Sequence, residues 1–265
     1  LYFNEASLGL VRGEKLDALH ACYMALDQTL AAKLQGEVYS MIADLELELG
    51  QPGKAITAGT RGLRRTDDPD AISRTVLTLA RAYLLSGEMD SANQLLFDYS
   101  ADLTRPSEQR LASAFSTFAR YQRSRPKAGL QDEGQRLVLA LASFDPNDAA
   151  TFADALIVSS AYASIGLRTK AEDNLRLALQ SAPDGFWSER VRFALAEMLY
   201  AAASLAKANA VVEGFGSVSV DLLPSVLYLH ASIQLDLGNL EGCESICRRI
   251  LSFDTDDAMK AKALN

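Results

Sequence analysis

The sequence predicts an all-α chain built by repeating one antiparallel helix pair, and three observations carry that prediction. Glycine recurs near every thirty-seventh position. Gly13, Gly50, Gly87, Gly166 and Gly238, with Ala203 standing in once, are spaced by 37, 37, 79 (two periods), 37 and 35 residues. A small residue follows each five positions later: Ala18, Ala55, Ala92, Ala171, Ala208 and Cys243. Proline with capping side chains marks the joints between pairs, at Asp67-Asp68-Pro69, Arg105-Pro106-Ser107, Asp145-Pro146-Asn147 and Leu223-Pro224. A period of this length marks stacked helical hairpins, none of which can cover its own apolar face.

The elements follow in order. The first unit has a short, glycine-interrupted first helix and a second helix carrying Leu16, Leu19, Cys22, Tyr23 and Leu26. Residues 36–65 hold Ile42-Ala43, Gly50, Ala55 and Leu63, and residues 73–101 hold Leu79-Ala80, Tyr83, Gly87, Ala92 and Leu96. Ser107 to Asn147 keeps the helical pattern through Leu111, Ala114, Phe115 and Phe118, then Leu137, Val138 and Leu141. Its joint, Ser124 to Gly129, contains Pro126 and is longer than the other turns. The clearest unit is Phe152 to Pro183: Ala155, Val158, Ser159 and Tyr162 share one helix face, and Ala171, Leu175, Ala178 and Leu179 share another. Residues 189–213 bring Leu195-Ala196, Leu199 and Ala208, and residues 224–255 bring Ala231, Gly238 and Leu251. Gly214 to Asp221 reads as an ordered loop, and Asp257 to Asn265 as the opening of another helix.

These residues resemble the tetratricopeptide repeat (TPR). Val158-Ser159, Tyr162, Gly166, Ala171, Leu175, Ala178 and Pro183 follow its order of large, small, tyrosine, glycine, alanine, large, alanine and proline positions. The resemblance covers nearly the whole chain, with six to seven hairpins. It departs from the pattern in lacking the consensus tryptophan and in its longer period. It implies one right-handed superhelical solenoid domain over residues 1–265, with both ends cut from a longer array. Leu1-Tyr2-Phe3 matches part of an engineered protease-site tag, which Asn4 does not continue.

Composition narrows the function. The net charge is −8, so a phosphate backbone is repelled and nucleic acid is not an expected partner. No window of eighteen uncharged apolar residues spans a membrane. Cys22, Cys243 and Cys247 make no disulfide framework, and a reducing compartment is the default expectation. No nucleophile elbow, phosphate-cradling loop or paired-histidine zinc motif is present, so no enzyme activity and no cofactor are expected. His230 with Cys243 and Cys247 offers an imidazole and two thiols to zinc, but no fourth ligand is evident, and the repeat wants small apolar residues at both cysteine positions. Phe186-Trp187 reads as a hydrophobic staple before a helix starting near Ser188. The acidic runs Asp67 to Asp70 and Asp254 to Asp257 read as solvated, helix-starting loops.

In TPR proteins ligands usually lie in a concave groove lined by the first helix of each pair. The resemblance assigns that groove to Glu37, Ser40, Asp44 and Glu48; to Arg74, Leu77, Arg81, Leu84 and Leu85; to Leu156 and Ser160; to Arg190, Phe193, Glu197 and Tyr200; and to Tyr228, Ser232 and Asp236. Aromatic anchors flanked by arginine suit a peptide or a partner helix. The clamp with which some TPR proteins hold a chaperone's terminal carboxylate is not expected, since Asp44, Arg81, Ser160, Glu197 and Ser232 stand at its asparagine positions. The expected function is a non-catalytic scaffold for a protein or peptide. The alternatives are an effector-sensing region of a larger regulator, or an accessory region of an enzyme. Self-association through exposed hairpin ends is a further expectation.

Overall fold

Four glycines of the repeat, Gly50, Gly87, Gly166 and Gly238, sit in left-handed turns. A computed structural model of the chain describes residues 2–12, 14–28, 31–124, 130–142, 151–181, 186–216, 218–220 and 222–252. Gly50, Gly87, Gly166 and Gly238 hold φ of 76°, 77°, 83° and 79°, and Ala203, at 56°, is the one non-glycine with positive φ among the described residues. At four of these turns the next residue's N–H reaches back five positions: Gln51 to the Glu46 carbonyl (2.7 Å), Glu88 to Tyr83 (2.8 Å), Ser204 to Leu199 (2.9 Å) and Asn239 to Gln234 (2.9 Å). That bond satisfies a carbonyl which the helix end would leave open, and it needs the left-handed residue between. Gly13 lies outside the described residues, although Glu14 makes the same bond to Gly9.

The alanine five positions on then starts the returning helix. Ala55 donates to Gln51, Ala92 to Glu88 and Ala208 to Ser204. Ala18, Ala55, Ala92, Ala171 and Ala208 are each 0% exposed, because a methyl group is what lets two helix backbones meet just after a tight turn. Cys243, the larger variant, stays half-exposed.

The helices divide into two compact units, Leu1–Ile165 and Gly166–Asn265. The first holds α1 (Tyr2–Arg12), α2 (Lys15–Leu26), α3 (Ala32–Glu48), α4 (Pro52–Leu63), α5 (Pro69–Leu85), α6 (Met89–Asp98), α7 (Pro106–Ser124), α8 (Leu130–Ala142) and α9 (Phe152–Ser164), with a 3₁₀ turn at Ser100–Asp102. The second holds α10 (Arg168–Ser181), α11 (Phe186–Ala201), α12 (Leu205–Glu213), α13 (Leu223–Asp236) and α14 (Leu240–Ser252). No strand occurs among the described residues. The chain is all-α, as the sequence predicts. The boundary between the units falls between α9 and α10, the two helices of the clearest repeat in the sequence.

Consecutive helices pack as hairpins within each unit, α1 on α2, α3 on α4, α5 on α6 and α7 on α8 in the first, α11 on α12 and α13 on α14 in the second. The core is the apolar stripe that the period predicts. Ile42, Ala43, Leu79, Ala80, Phe115, Val158, Leu195, Ala196 and Leu199 are all buried. In α1, Gly9 is what admits α2, since a Cβ there would lie 3.0 Å from the Ala18 Cβ. Tyr2 packs on the same core as Cys22 and Ile42.

Some expected core positions differ. Leu16 is exposed, because α2 turns Ala18, Ala21, Cys22 and Ala25 inward instead. Val138 is exposed while Leu137 and Leu141 are buried, and Ile250 takes the core place expected of Leu251. Phe186 and Trp187 lie inside the first turn of α11, not before it. Their rings meet edge to face at 5.2 Å, with the Arg190 guanidinium 4.3 Å above Phe186. Residues 214–216 and 218–220 lie outside helices, held where Arg192 donates to the Gly214 carbonyl (2.9 Å) and the Ser219 N–H donates to Glu189 (2.8 Å). The Pro126 joint, Asp145-Pro146-Asn147, Pro183, the Asp254 run and the helix expected from Asp257 lie outside the described residues.

Candidate functional site

In the first unit the A helices α3, α5, α7 and α9 pack on one another in chain order, and α5 also reaches α9 directly. Their facing sides are polar. Thr75 donates to the Ser40 hydroxyl (2.7 Å), Ser73 donates to Glu108 (2.7 Å), and Thr78 donates to Asp44. Small hydroxyls here satisfy each other without water while leaving helices in contact. Arg81 donates from Nε to Asp154 Oδ1 (2.6 Å) and from Nη2 to Oδ2 (3.1 Å). Asp154 is 0% exposed and also accepts from the Thr151 N–H and hydroxyl, closing a capping box at the start of α9.

This packing covers part of the groove expected from the sequence. Leu77, Arg81 and Leu84 are buried, and Ser40 is fully buried. Leu77 and Leu84 are core of the first unit, and both prongs of Arg81 are spent on Asp154. The inward face of α5 is covered by the neighbouring A helices. Arg74 remains exposed and pairs with Asp44 at 3.4 Å, and Glu48 pairs with Lys15 at 2.9 Å. Burial pushes the Asp44 carboxyl above the usual range, against the pull of Thr78 and Arg74.

In the second unit the A helices α11 and α13 leave a more open face. Val191, Leu195, Ala196 and Leu199 turn into the core from α11, as do Val226, Leu227, Ala231 and Ile233 from α13. The other side of α11 carries Arg190, Phe193, Glu197 and Tyr200, of which Glu197 is exposed and the rest half-buried. On α13, Tyr228, Ser232 and Asp236 recur every fourth residue as one stripe, with Tyr228 and Asp236 exposed. The Tyr200 hydroxyl crosses to Asp236 at 2.8 Å and ties the two helices together. That bond raises the Tyr200 pKa, with burial second. The resulting face presents aromatic rings and carboxylates, the chemistry that recognises an apolar anchor beside a cation.

His230 does not join the thiols. Its Nε2 lies 3.1 Å from Gln234 Nε2, and Gln234 is itself bonded to Asn209 and Asn239. Burial lowers its pKa. Cys247 is raised by burial and then by Cys243 beside it. Among the described residues no three His, Cys, Asp or Glu side chains gather as a metal site, and no helix is long and apolar enough to cross a membrane.

No protein-family model matches the sequence, and no curated protein matches it. Solved structures do share its fold. A tetratricopeptide repeat protein from Parabacteroides merdae aligns over 100% of this chain and 98% of its own, at 13% identity and a TM-score of 0.54. A thermophilic TPR protein of Thermus thermophilus aligns over 76% of this chain and 99% of its own, at 21% identity and a TM-score of 0.56. The repeated left-handed turn, the buried alanine after it and these two alignments agree: the chain has the tetratricopeptide-repeat fold.

Proposed function

We propose that the chain is a non-catalytic scaffold that binds a protein or peptide partner on the A-helix face of its second unit. The observation that carries the reading is the stripe of Tyr228 and Asp236, bridged to Tyr200 of α11, on a helix pair whose opposite sides are fully committed to the core. A rigid pair of helices presenting tyrosine rings offers large contact area at little entropic cost. Phe193 and Glu197 extend the same surface along α11. Leu77, Arg81 and Leu84 are assigned to the scaffold, and Arg74 to its polar rim.

The test is affinity capture from the native source with the wild-type chain and with Phe193→Ala/Tyr200→Ala/Tyr228→Ala. The triple variant is expected to keep the helical circular dichroism and lose the captured partner. A folded triple variant that retains every partner overturns the assignment.

A further inference from the structure

We propose that a cleft between α2, α3 and α4, in the first unit, is a second binding site that takes an acidic peptide segment by one apolar side chain. The cleft measures ≈ 190 Å³, with Tyr23, Tyr39, Ile42 and Ala58 among its walls and Lys54 and Arg61 at its rim. Its volume and apolar walls suit one aromatic or branched aliphatic side chain.

The rim decides the rest of the ligand. From Gln51 to Thr66 the sequence holds four cations (Lys54, Arg61, Arg64 and Arg65) and no carboxylate, in a chain whose net charge is −8. Several arginines elsewhere sit on carboxylates: Arg81 on Asp154, Arg105 on Asp70, Arg123 on Asp90, Arg176 on Glu172 and Arg248 on Glu244. Among the described residues Arg61, Arg64 and Arg65 have no such partner. Arg61 and Arg65 lie instead over the Tyr39 ring, 5.9 and 5.4 Å from its centroid. That contact is weak when exposed and leaves the charge available.

The helix itself does not account for this charge. Cations in the last turn of α4 complement its dipole, but Lys54 lies in the first turn, where a cation opposes it. Lys54 leans towards Glu46 at 4.0 Å, and Glu46 is buried and already receives the Tyr23 hydroxyl at 2.8 Å. One buried carboxylate against Lys54, Arg61 and Arg65 leaves a positive surplus around an apolar hole. A bare phosphate would use the rim and leave the walls empty. A peptide that alternates an apolar side chain with aspartate or glutamate uses both.

The probe is a fluorescein-labelled peptide of sequence Gly-Asp-Glu-Phe-Glu-Asp-Gly, titrated with the full chain by fluorescence anisotropy at low salt. Arg61→Glu/Arg65→Glu is expected to weaken binding roughly fivefold or more, and raised salt to weaken it similarly. Thr57→Trp, which fills the cleft from an exposed position and keeps every charge, is expected to do the same by roughly as much. Phe97→Ala, an exposed side chain on α6 away from the cleft, is expected to leave the affinity unchanged. The proposal is overturned if the peptide does not bind, or if its Asn/Gln counterpart binds equally. It is also overturned if the charge-reversed protein keeps its affinity. An outcome in which inorganic phosphate displaces the peptide at matched ionic strength, while Phe to Ala in the peptide changes nothing, marks an anion site alone and overturns the peptide reading too.

Discussion

Arg81 and Asp154 form a buried two-point ion pair, 2.6 and 3.1 Å, that joins α5 to α9 across the first unit. Breaking such a pair strands a charge away from water, so Arg81→Ala is expected to cost roughly 3–5 kcal/mol. Asp154→Ala is expected to cost about 1 kcal/mol more, because it also removes the capping box of α9. Urea unfolding of the two single variants and the double variant measures this. The double variant should lose clearly less than the two singles combined, and simple additivity would contradict the pairing.

Ala203 occupies a conformation that its Cβ disfavours, φ 56°, at a turn whose equivalents are glycine. Ala203→Gly is expected to stabilise the second unit by roughly 0.5–1 kcal/mol, the relief of left-handed strain less the added freedom of the unfolded chain. Gly87→Ala, the reverse change at the matching turn, is expected to destabilise by a similar amount although nothing lies within 4 Å of the new Cβ. Thermal unfolding followed by circular dichroism reads both signs. A stabilising Gly87→Ala would refute the shared turn geometry.

Asp44 supplies a pH dependence. Its carboxyl is raised by burial, so the folded chain holds that proton more tightly than the unfolded chain does. Stability from this residue is therefore fullest below the usual carboxylate range and falls as pH rises through the raised value. Asp44→Asn keeps an acceptor for Thr78 and removes the half-buried charge, at the loss of a half-exposed pair with Arg74. The urea midpoint of Asp44→Asn should exceed the wild type near neutral pH, and the gap should shrink by about pH 4. A variant less stable than wild type at neutral pH would contradict the sign.

What the sequence made legible is what local chemistry decides. A left-handed turn needs glycine, and the helix after it needs a small first contact, so Gly50 with Ala55 and Gly87 with Ala92 could be read from spacing alone. The stand-in at Ala203 was visible for the same reason. The burial of Leu77, Arg81 and Leu84 was not, because it depends on how the neighbouring A helices cover α5, and the Asp154 partner of Arg81 lies 73 residues away in the chain. Tyr23 was read as part of a core stripe, and its bond to the buried Glu46 has no signature in the period.

We propose the A-helix face of the second unit as the place where a partner binds. Site-specific photocrosslinking tests it most directly, with a photoreactive phenylalanine placed at Tyr228 and, as the contrast, at Phe97, an exposed aromatic on the B helix α6. Irradiation in the native source is expected to attach a partner at position 228 and none at position 97. Attachment at 97 with none at 228 would contradict the account.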